Sequence, residues 1–195
     1  MARLIVIEGG EASGKTTQAR LLAEDLGAVL TREPGGTAVG EALRRLLLDP
    51  SLPAPVAKAE ALMLLAARAQ HVAEVVEPAL AQGHDVVCDR YSGSTLAYQG
   101  YGRGLDLAEL ASFDGWATGH RVPDVVVLLD VPVEQGRARR SCATDRIEAE
   151  GDEFLERVQA GFRKLAAADP QRWRVVDGRG RVEEVAERVR EAVGT

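Results

Sequence analysis

Residues 3–17 read RLIVIEGGEASGKTT, and the order of events within them decides the fold. Leu4, Ile5, Val6 and Ile7 make a short unbroken apolar run, the pattern of a buried strand. The run breaks into Gly9-Gly10-Glu11-Ala12-Ser13-Gly14-Lys15-Thr16, which fits G-x-x-x-x-G-K-[ST]. Beyond it Ala19, Leu21, Leu22, Ala23 and Leu26 supply an apolar face and predict a helix over 18–26. Strand, glycine loop and helix thus stand in the order that a phosphate-binding loop requires. Glycines let backbone amides come close to phosphate oxygens and adopt positive φ. The converging N–H groups and the positive end of the following helix form an anion-binding concavity. In such a loop Lys15 reaches the β- and γ-phosphates and the Thr16 hydroxyl holds magnesium. The expected ligand is a nucleoside triphosphate, held by Gly9, Gly10, Glu11, Ala12, Ser13, Gly14, Lys15, Thr16 and Thr17.

Composition narrows what the rest of the chain does with that ligand. A length of 195 residues fits one domain. A net charge of −6 argues against a general nucleic-acid binder. Cys88 and Cys142 lie far apart in no metal-like spacing, so a disulfide framework is not expected and a reducing cytoplasm fits. The first apolar run is short and leads into the glycine loop, so it is not a signal peptide. No apolar run approaches the length needed to span a bilayer, and no membrane partner is expected.

Outward from the loop, a second strand is predicted over 28–31. It leads into the turn-rich segment Arg32-Glu33-Pro34-Gly35-Gly36-Thr37. This segment follows a strand at the carboxyl end of the sheet, where ligands bind in open α/β folds, which makes Arg32 and Pro34 candidate contacts. A helix over 37–48 and a stiff connector over 51–55 follow. The longest helical stretch, 56–82, has a broad apolar face, with Pro78 marking a kink or its last turns. Arg68 lies within it, and on its own would read as an ordinary exposed arginine. A third strand over 85–90 contains Asp89; an acid at the end of a buried strand, downstream of a phosphate loop, is the usual second half of a magnesium site. Residues 91–104, YSGSTLAYQGYGRG, read as a binding segment rather than core. Helices over 107–116, 133–149, 154–168 and 182–193 and strands over 125–131 and 173–176 complete the chain. Arg137, Arg139, Arg140 and Arg146 fall within 133–149, either as a solvated helix face or as a polyphosphate clamp. The alternation predicts an α/β fold: a mostly parallel five-stranded sheet, helices on both faces, and a site at the strand carboxyl ends.

Guanine-specific switches use N-K-x-D, and this chain has no Asn. The length fits a small kinase that passes phosphate to another small molecule. The set EGGEASGKTTQ (8–18), TREPGGT (31–37), MLLAARAQH (63–71), DRYSGSTLAYQG (89–100), PDVVVLLDV (123–131) and DRIE (145–148) resembles bacterial thymidylate kinase, a P-loop nucleoside monophosphate kinase family. The resemblance runs in order over nearly the whole chain. It implies a three-layer P-loop kinase fold over 1–195, with the loop at 9–16, an acceptor-binding region at 31–75 and a lid at 137–148. It implies magnesium-dependent transfer of the ATP γ-phosphoryl group to dTMP, giving dTDP and ADP in dTTP synthesis, by a cytoplasmic homodimer.

Roles carry over by position. Glu11 resembles the carboxylate that takes the acceptor 3′-hydroxyl, Arg68 the residue that reads thymine O4, and Arg90 the acceptor-phosphate clamp. Asp89 would support magnesium together with Thr16. Tyr98 would pack beneath the sugar, where a 2′-hydroxyl would go. Ser94, Thr95 and Gln99 join Arg32 and Pro34 among the substrate contacts, with Thr95 and Gln99 near the base. With no basic residue at Glu11, Ala12 or Ser13, the resemblance assigns the transition-state arginine to the lid, among Arg137, Arg139, Arg140 and Arg146. Where the family usually stacks a Phe on thymine this chain has Leu64, a loss of about 1 kcal/mol of stacking. Two other readings stay open: a P-loop kinase for another nucleotide or deoxynucleoside, and a nucleotide-binding switch with little transfer.

Overall fold

In the computed structural model, which describes residues 1–138, 146–147 and 150–194, β1 (Leu4–Gly9) is buried along its whole length at the centre of a five-stranded sheet. The strand order is β2-β3-β1-β4-β5, with β2 (Val29–Arg32), β3 (Val86–Asp89), β4 (Val125–Asp130) and β5 (Trp173–Asp177), and every pairing is parallel. β1 pairs with both β3 and β4, so the chain leaves it in opposite directions. Its carboxyl end therefore opens at a reversal of strand order, the usual ligand crevice of such sheets.

Alternate residues of β1 serve opposite layers. Ile5 and Ile7 pack with Leu22 of α1 (Lys15–Leu26) and Val185 and Val189 of α9 (Val182–Val193). Leu4 and Val6 pack with Val72, Val76 and Ala79 on the other face. A third cluster joins Tyr98 and Leu128 to Phe154, Val158 and Phe162 of α8 (Asp152–Ala168). The inner strands β1, β3 and β4 read as nearly continuous apolar runs because both of their faces are covered, whereas the edge strands β2 and β5 expose Leu30 and Val175.

Several boundaries differ from the sequence expectations for physical reasons. The second strand begins one residue late, because Gly27 (φ 61°) ends α1 and the Ala28 amide reaches back to the Ala23 carbonyl at 2.9 Å. The expected helix over 37–48 is α2 (Ala38–Leu48), with the Thr37 hydroxyl accepting from the Gly40 amide. The stretch 56–82 is α3 (Ala57–His71), a π-helical turn Val72–Val76, and α4 (Glu77–Ala81). The wider turn lies just ahead of Pro78, whose ring would clash with the carbonyl four residues back in a regular helix.

The segment over 91–104 is not set apart from the core. It forms α5 (Ser92–Thr95) and a π-helical run Leu96–Gly102, and Tyr91 before it is fully buried. α6 (Leu107–Ala117) follows. Of the helix expected over 133–149, α7 (Val133–Ala138) is described and Arg146 and Ile147 form a turn; the remaining positions, with Arg139 and Arg140, lie outside the described residues. Among the described residues no helix is long and apolar enough to cross a membrane.

Phe162 is 1% exposed and meets the Tyr98 ring edge-on at 6.0 Å between centroids. Phe162→Ala is expected to lower unfolding stability by about 3–5 kcal/mol, read by urea denaturation. A loss below about 1 kcal/mol would mean that this third cluster contributes little.

Candidate active site

The glycine loop closes over the carboxyl end of β1. Gly9 has φ 150°, and a Cβ there would stand 2.7 Å from the Leu129 carbonyl oxygen, so only glycine passes. Gly14 (φ 94°) starts α1 in the left-handed region, and Ala12 (φ 53°) shares it. Lys15 is buried, and its Nζ donates to the Gly10 carbonyl at 2.5 Å and to Ser13 Oγ at 3.3 Å. Burial lowers the Lys15 pKa to about 8; the Arg90 charge adds to the shift, and Glu11, Asp89 and Glu8 oppose it.

Thr16 Oγ1 donates to Asp89 Oδ2 at 2.5 Å, and Asp89 Oδ1 is buried with no hydrogen-bond partner among the described residues. The hydroxyl and the carboxylate are hard oxygen donors at the mouth of a phosphate loop. Among the described residues no group of three or more His, Cys, Asp or Glu side chains is placed to hold a metal. Such a pair fits magnesium, which keeps waters and phosphate oxygens in its shell and takes few protein ligands.

Beside the loop opens a cleft of about 680 Å³. Glu11, Arg32, Pro34, Leu64, Arg68, Arg90, Ser94, Thr95, Tyr98 and Gln99 all line it, as do Ala12, Gly14, Lys15, Thr16, Thr17 and Asp89. Parallel register explains the convergence: Asp89 pairs with Ile7 on one side and Arg32 on the other, so three strand ends deliver their residues at one level. Glu11 is the junction of loop and cleft. Its Oε1 accepts from Arg90 Nη2 and from the Tyr98 hydroxyl, each at 2.6 Å. Arg90 also donates to the Gly9 carbonyl at 3.1 Å and Ser94 Oγ at 3.2 Å, and lies 5.0 Å over the Tyr98 ring. Its φ of 70° is a strained conformation for a non-glycine residue, of the kind that collects at functional sites.

Beneath these groups Glu8 is fully buried. Its Oε1 accepts the amides of Tyr91 (3.0 Å) and Ser94 (2.9 Å), and its Oε2 the Ser94 hydroxyl (2.6 Å). It thereby ties the segment carrying Ser94, Thr95, Tyr98 and Gln99 to β1. Burial raises its pKa, against the pull of those hydrogen bonds and of Arg90.

Deeper in the cleft Arg68 is only 2% exposed, not the exposed arginine that its local sequence describes. Its Nε donates to Glu33 Oε2 at 2.6 Å and its Nη1 to Asp114 Oδ1 at 2.5 Å, and it lies 5.1 Å over the Tyr91 ring. The other Glu33 oxygen meets His71 Nδ1 at 2.8 Å, and His71 Nε2 meets Thr31 Oγ1 at 2.7 Å. Glu33, His71, Asp114 and Glu60 were not legible as site residues one by one. Spacing held a signal for Glu60: it stands four residues before Leu64 and eight before Arg68, on one face of α3. Gln99 donates its amide to Glu60 Oε1 at 2.8 Å, while Gln99 Oε1 and Thr95 Oγ1 are buried without partners among the described residues.

Neither described arginine of the expected lid is among the residues that line the cleft. Arg137 pairs with Asp152 at 2.5 Å on the surface. Arg146 donates to the carbonyls of Asp49 (2.5 Å) and Leu52 (2.6 Å), just past the end of α2, where free carbonyls and the helix dipole favour a cation. Ile147 beside it lines the cleft with Leu47 and Leu48.

This chain is similar throughout to one group of proteins. A family model described as thymidylate kinase matches residues 7–189. A thymidylate kinase of Cutibacterium acnes is 50% identical over 194 residues, covering 97% of this chain and 95% of that protein. One from Roseiflexus sp. (strain RS-1) is 47% identical over 208 residues, covering 97% and 92%. Among solved structures, a thymidylate kinase from Ehrlichia chaffeensis superimposes with a TM-score of 0.83 at 32% identity, covering 98% of both chains.

The depressed Lys15 pKa carries a consequence for stability. Between about 8 and the ordinary value of 10.5 the unfolded chain binds a proton at Lys15 that the folded chain releases. This group's contribution to stability therefore rises with pH across that window, and is least favourable below pH 8. Lys15→Met is expected to be more stable than wild type by about 1 kcal/mol or more at pH 7, a gap that narrows by pH 10.5. Denaturant melts of both proteins at the two pH values check it; a gap that does not change with pH would remove the buried charge as its cause.

Proposed function

The chain belongs to the thymidylate kinase family, whose members transfer the ATP γ-phosphoryl group to dTMP, and we propose that the Glu11–Arg90–Tyr98 junction is where donor and acceptor sides meet. The observation that carries this is the single Glu11 oxygen holding both Arg90 and Tyr98 at 2.6 Å, on the same loop that holds Lys15. Residues 1–195 then act as one kinase domain, with residues 9–16 for ATP phosphates, 31–75 for the acceptor and 137–148 as the lid.

The acceptor oxygen belongs to a phosphate and is already anionic, so it needs no strong general base; positioning and charge neutralisation supply the rate. Gly9 to Thr17 cradle ATP, and Lys15 follows the charge on the transferring group. Arg90 holds the dTMP phosphate. Glu11 takes the 3′-hydroxyl, and the Tyr98 ring fills the space that a ribose 2′-hydroxyl would need. Arg68 reads O4, Leu64 covers the base, and Thr95 and Gln99 meet its edge, with Arg32, Pro34 and Ser94 completing the wall. Magnesium, held by Thr16 and Asp89, would neutralise charge on the phosphates. A lid arginine from Arg137, Arg139, Arg140 or Arg146 would complete the charge around the transferring group, and closure would exclude water.

The same reading makes the enzyme a cytoplasmic homodimer. Leu62 on α3 and Phe113 and Trp116 on α6 are 58%, 51% and 82% exposed, on two helices that pack together beside the cleft. Nucleic acid and membrane have no part in it.

An ADP-release assay with dTMP, dUMP, dCMP and AMP tests the reaction. dTMP is expected to be the best acceptor, EDTA to abolish turnover, and Lys15→Met to lower kcat by about 100-fold or more. Glu11→Gln is expected to raise KM for dTMP about tenfold while moving KM for ATP far less. Preference for AMP, or near-normal turnover of Lys15→Met, would sink the assignment. Trp116→Glu is expected to shift the size-exclusion mass from dimer to monomer; a wild type that elutes as a monomer would end the dimer reading.

A further inference from the structure

We propose that Glu60 is a positioning residue that fixes the Gln99 amide in one orientation, and so makes the cleft select a pyrimidine carrying a proton on N3. The inference rests on the placement of the base against Gln99 proposed above. Glu60 is 4% exposed and Gln99 is 2% exposed, so neither side chain is free to reorient in solvent. Arg103 engages both Glu60 oxygens, Nε to Oε1 and Nη2 to Oε2, each at 3.2 Å. A carboxylate paired with a guanidinium is an acceptor at both oxygens. The Gln99 amide can therefore meet Glu60 Oε1 only with its nitrogen, which it does at 2.8 Å. Arg103 is itself anchored, paired to Glu150 at 2.5 Å and lying 4.6 Å over the Phe154 ring, so Glu60 is held from behind.

With one amide hydrogen on Glu60 the orientation of the group is fixed, and the oxygen is the amide atom left with no partner among the described residues. Among the described residues that oxygen is buried without a donor, in a side chain that lines the cleft, and the Thr95 hydroxyl one turn earlier is equally without a partner. A buried acceptor is costly until a donor meets it. Thymine and uracil present N–H at N3, whereas cytosine presents a lone pair there. A free glutamine would turn over and offer N–H to cytosine; one clamped by a carboxylate does not. Selection against cytosine at N3 thus comes from Glu60, a residue that acts on the base through Gln99 and adds to the reading of O4 by Arg68.

The test is the ratio of kcat/KM for dTMP to that for dCMP in wild type, Glu60→Gln and Glu60→Asp. Glu60→Gln offers Gln99 either a donor or an acceptor. Glu60→Asp keeps the charge opposite Arg103 but withdraws the acceptor by one methylene, so it serves even if the amide variant folds poorly. In both the ratio is expected to fall about tenfold, with the dTMP loss in KM more than in kcat and dCMP gaining in absolute kcat/KM. In a Gln99→Ala background Glu60→Asp is expected to leave the ratio unmoved. A loss shared equally by both acceptors, with the ratio unchanged, would overturn the inference and leave the dTMP reading standing. A wild type that shows no preference for dTMP over dCMP would overturn the placement of the base itself.

Discussion

The parallel register of β1, β2 and β3 is the constraint on which the site depends. Because Asp89 stands level with both Ile7 and Arg32, three chain segments distant in sequence leave the sheet at one height. Each then turns into a structure that the strands could not form: a glycine loop after β1, a Pro-Gly-Gly turn after β2, and a strained Arg90 after β3. The helices above inherit their positions from those exits. Glu8 makes the inheritance tight, since one buried carboxylate joins the end of β1 to the first turn after β3. Shifting that register by one residue would separate Thr16 from Asp89 and Glu11 from Arg90 together.

Charge is concentrated where those exits meet. Glu8, Glu11 and Asp89 surround Lys15 and Arg90 at the mouth of the cleft, and each cation is held by groups that a phosphate oxygen can replace. Burial, aided by the Arg90 charge, pushes the Lys15 ammonium toward losing its proton. Phosphate oxygens arriving in the loop would reverse that tendency, so the lysine is most at ease when its ligand is present. The same logic covers the strain at Arg90, which a rigid surround sustains and a bound anion repays.

The strands and the phosphate loop were legible because buried parallel strands announce themselves as apolar runs, and α9 carried a clear helical period. The segment from Tyr91 to Gly104 was misread as lying apart from the core. Its π-helical turns break the 3.6-residue period, and its hydroxyls and glycines hide the fact that Tyr91 and Tyr98 are buried. Buried charge was harder still to read. Nothing local distinguishes Arg68 from a surface arginine; only its partners Glu33 and Asp114, 35 and 46 residues away, make it an interior group. The Glu60–Leu64–Arg68 spacing was readable, but it became informative only once the face of α3 that meets the cleft was known.

Both π-helical turns lie next to groups of the cleft, Val72–Val76 just after Arg68 and His71, and Leu96–Gly102 around Tyr98 and Gln99. A π-turn amounts to one residue more than an α-helix would hold over the same rise, and each helical residue rotates the chain by about 100°. Such helices have a fixed length budget. Removing a single residue from either would restore regular hydrogen bonding and look harmless by propensity, yet it would turn the side chains on one side of the cut away from those on the other. A surface connector such as 49–55 can take up a change of length at little cost, whereas an insertion or deletion in the walls of the cleft would misplace the side chains that line it.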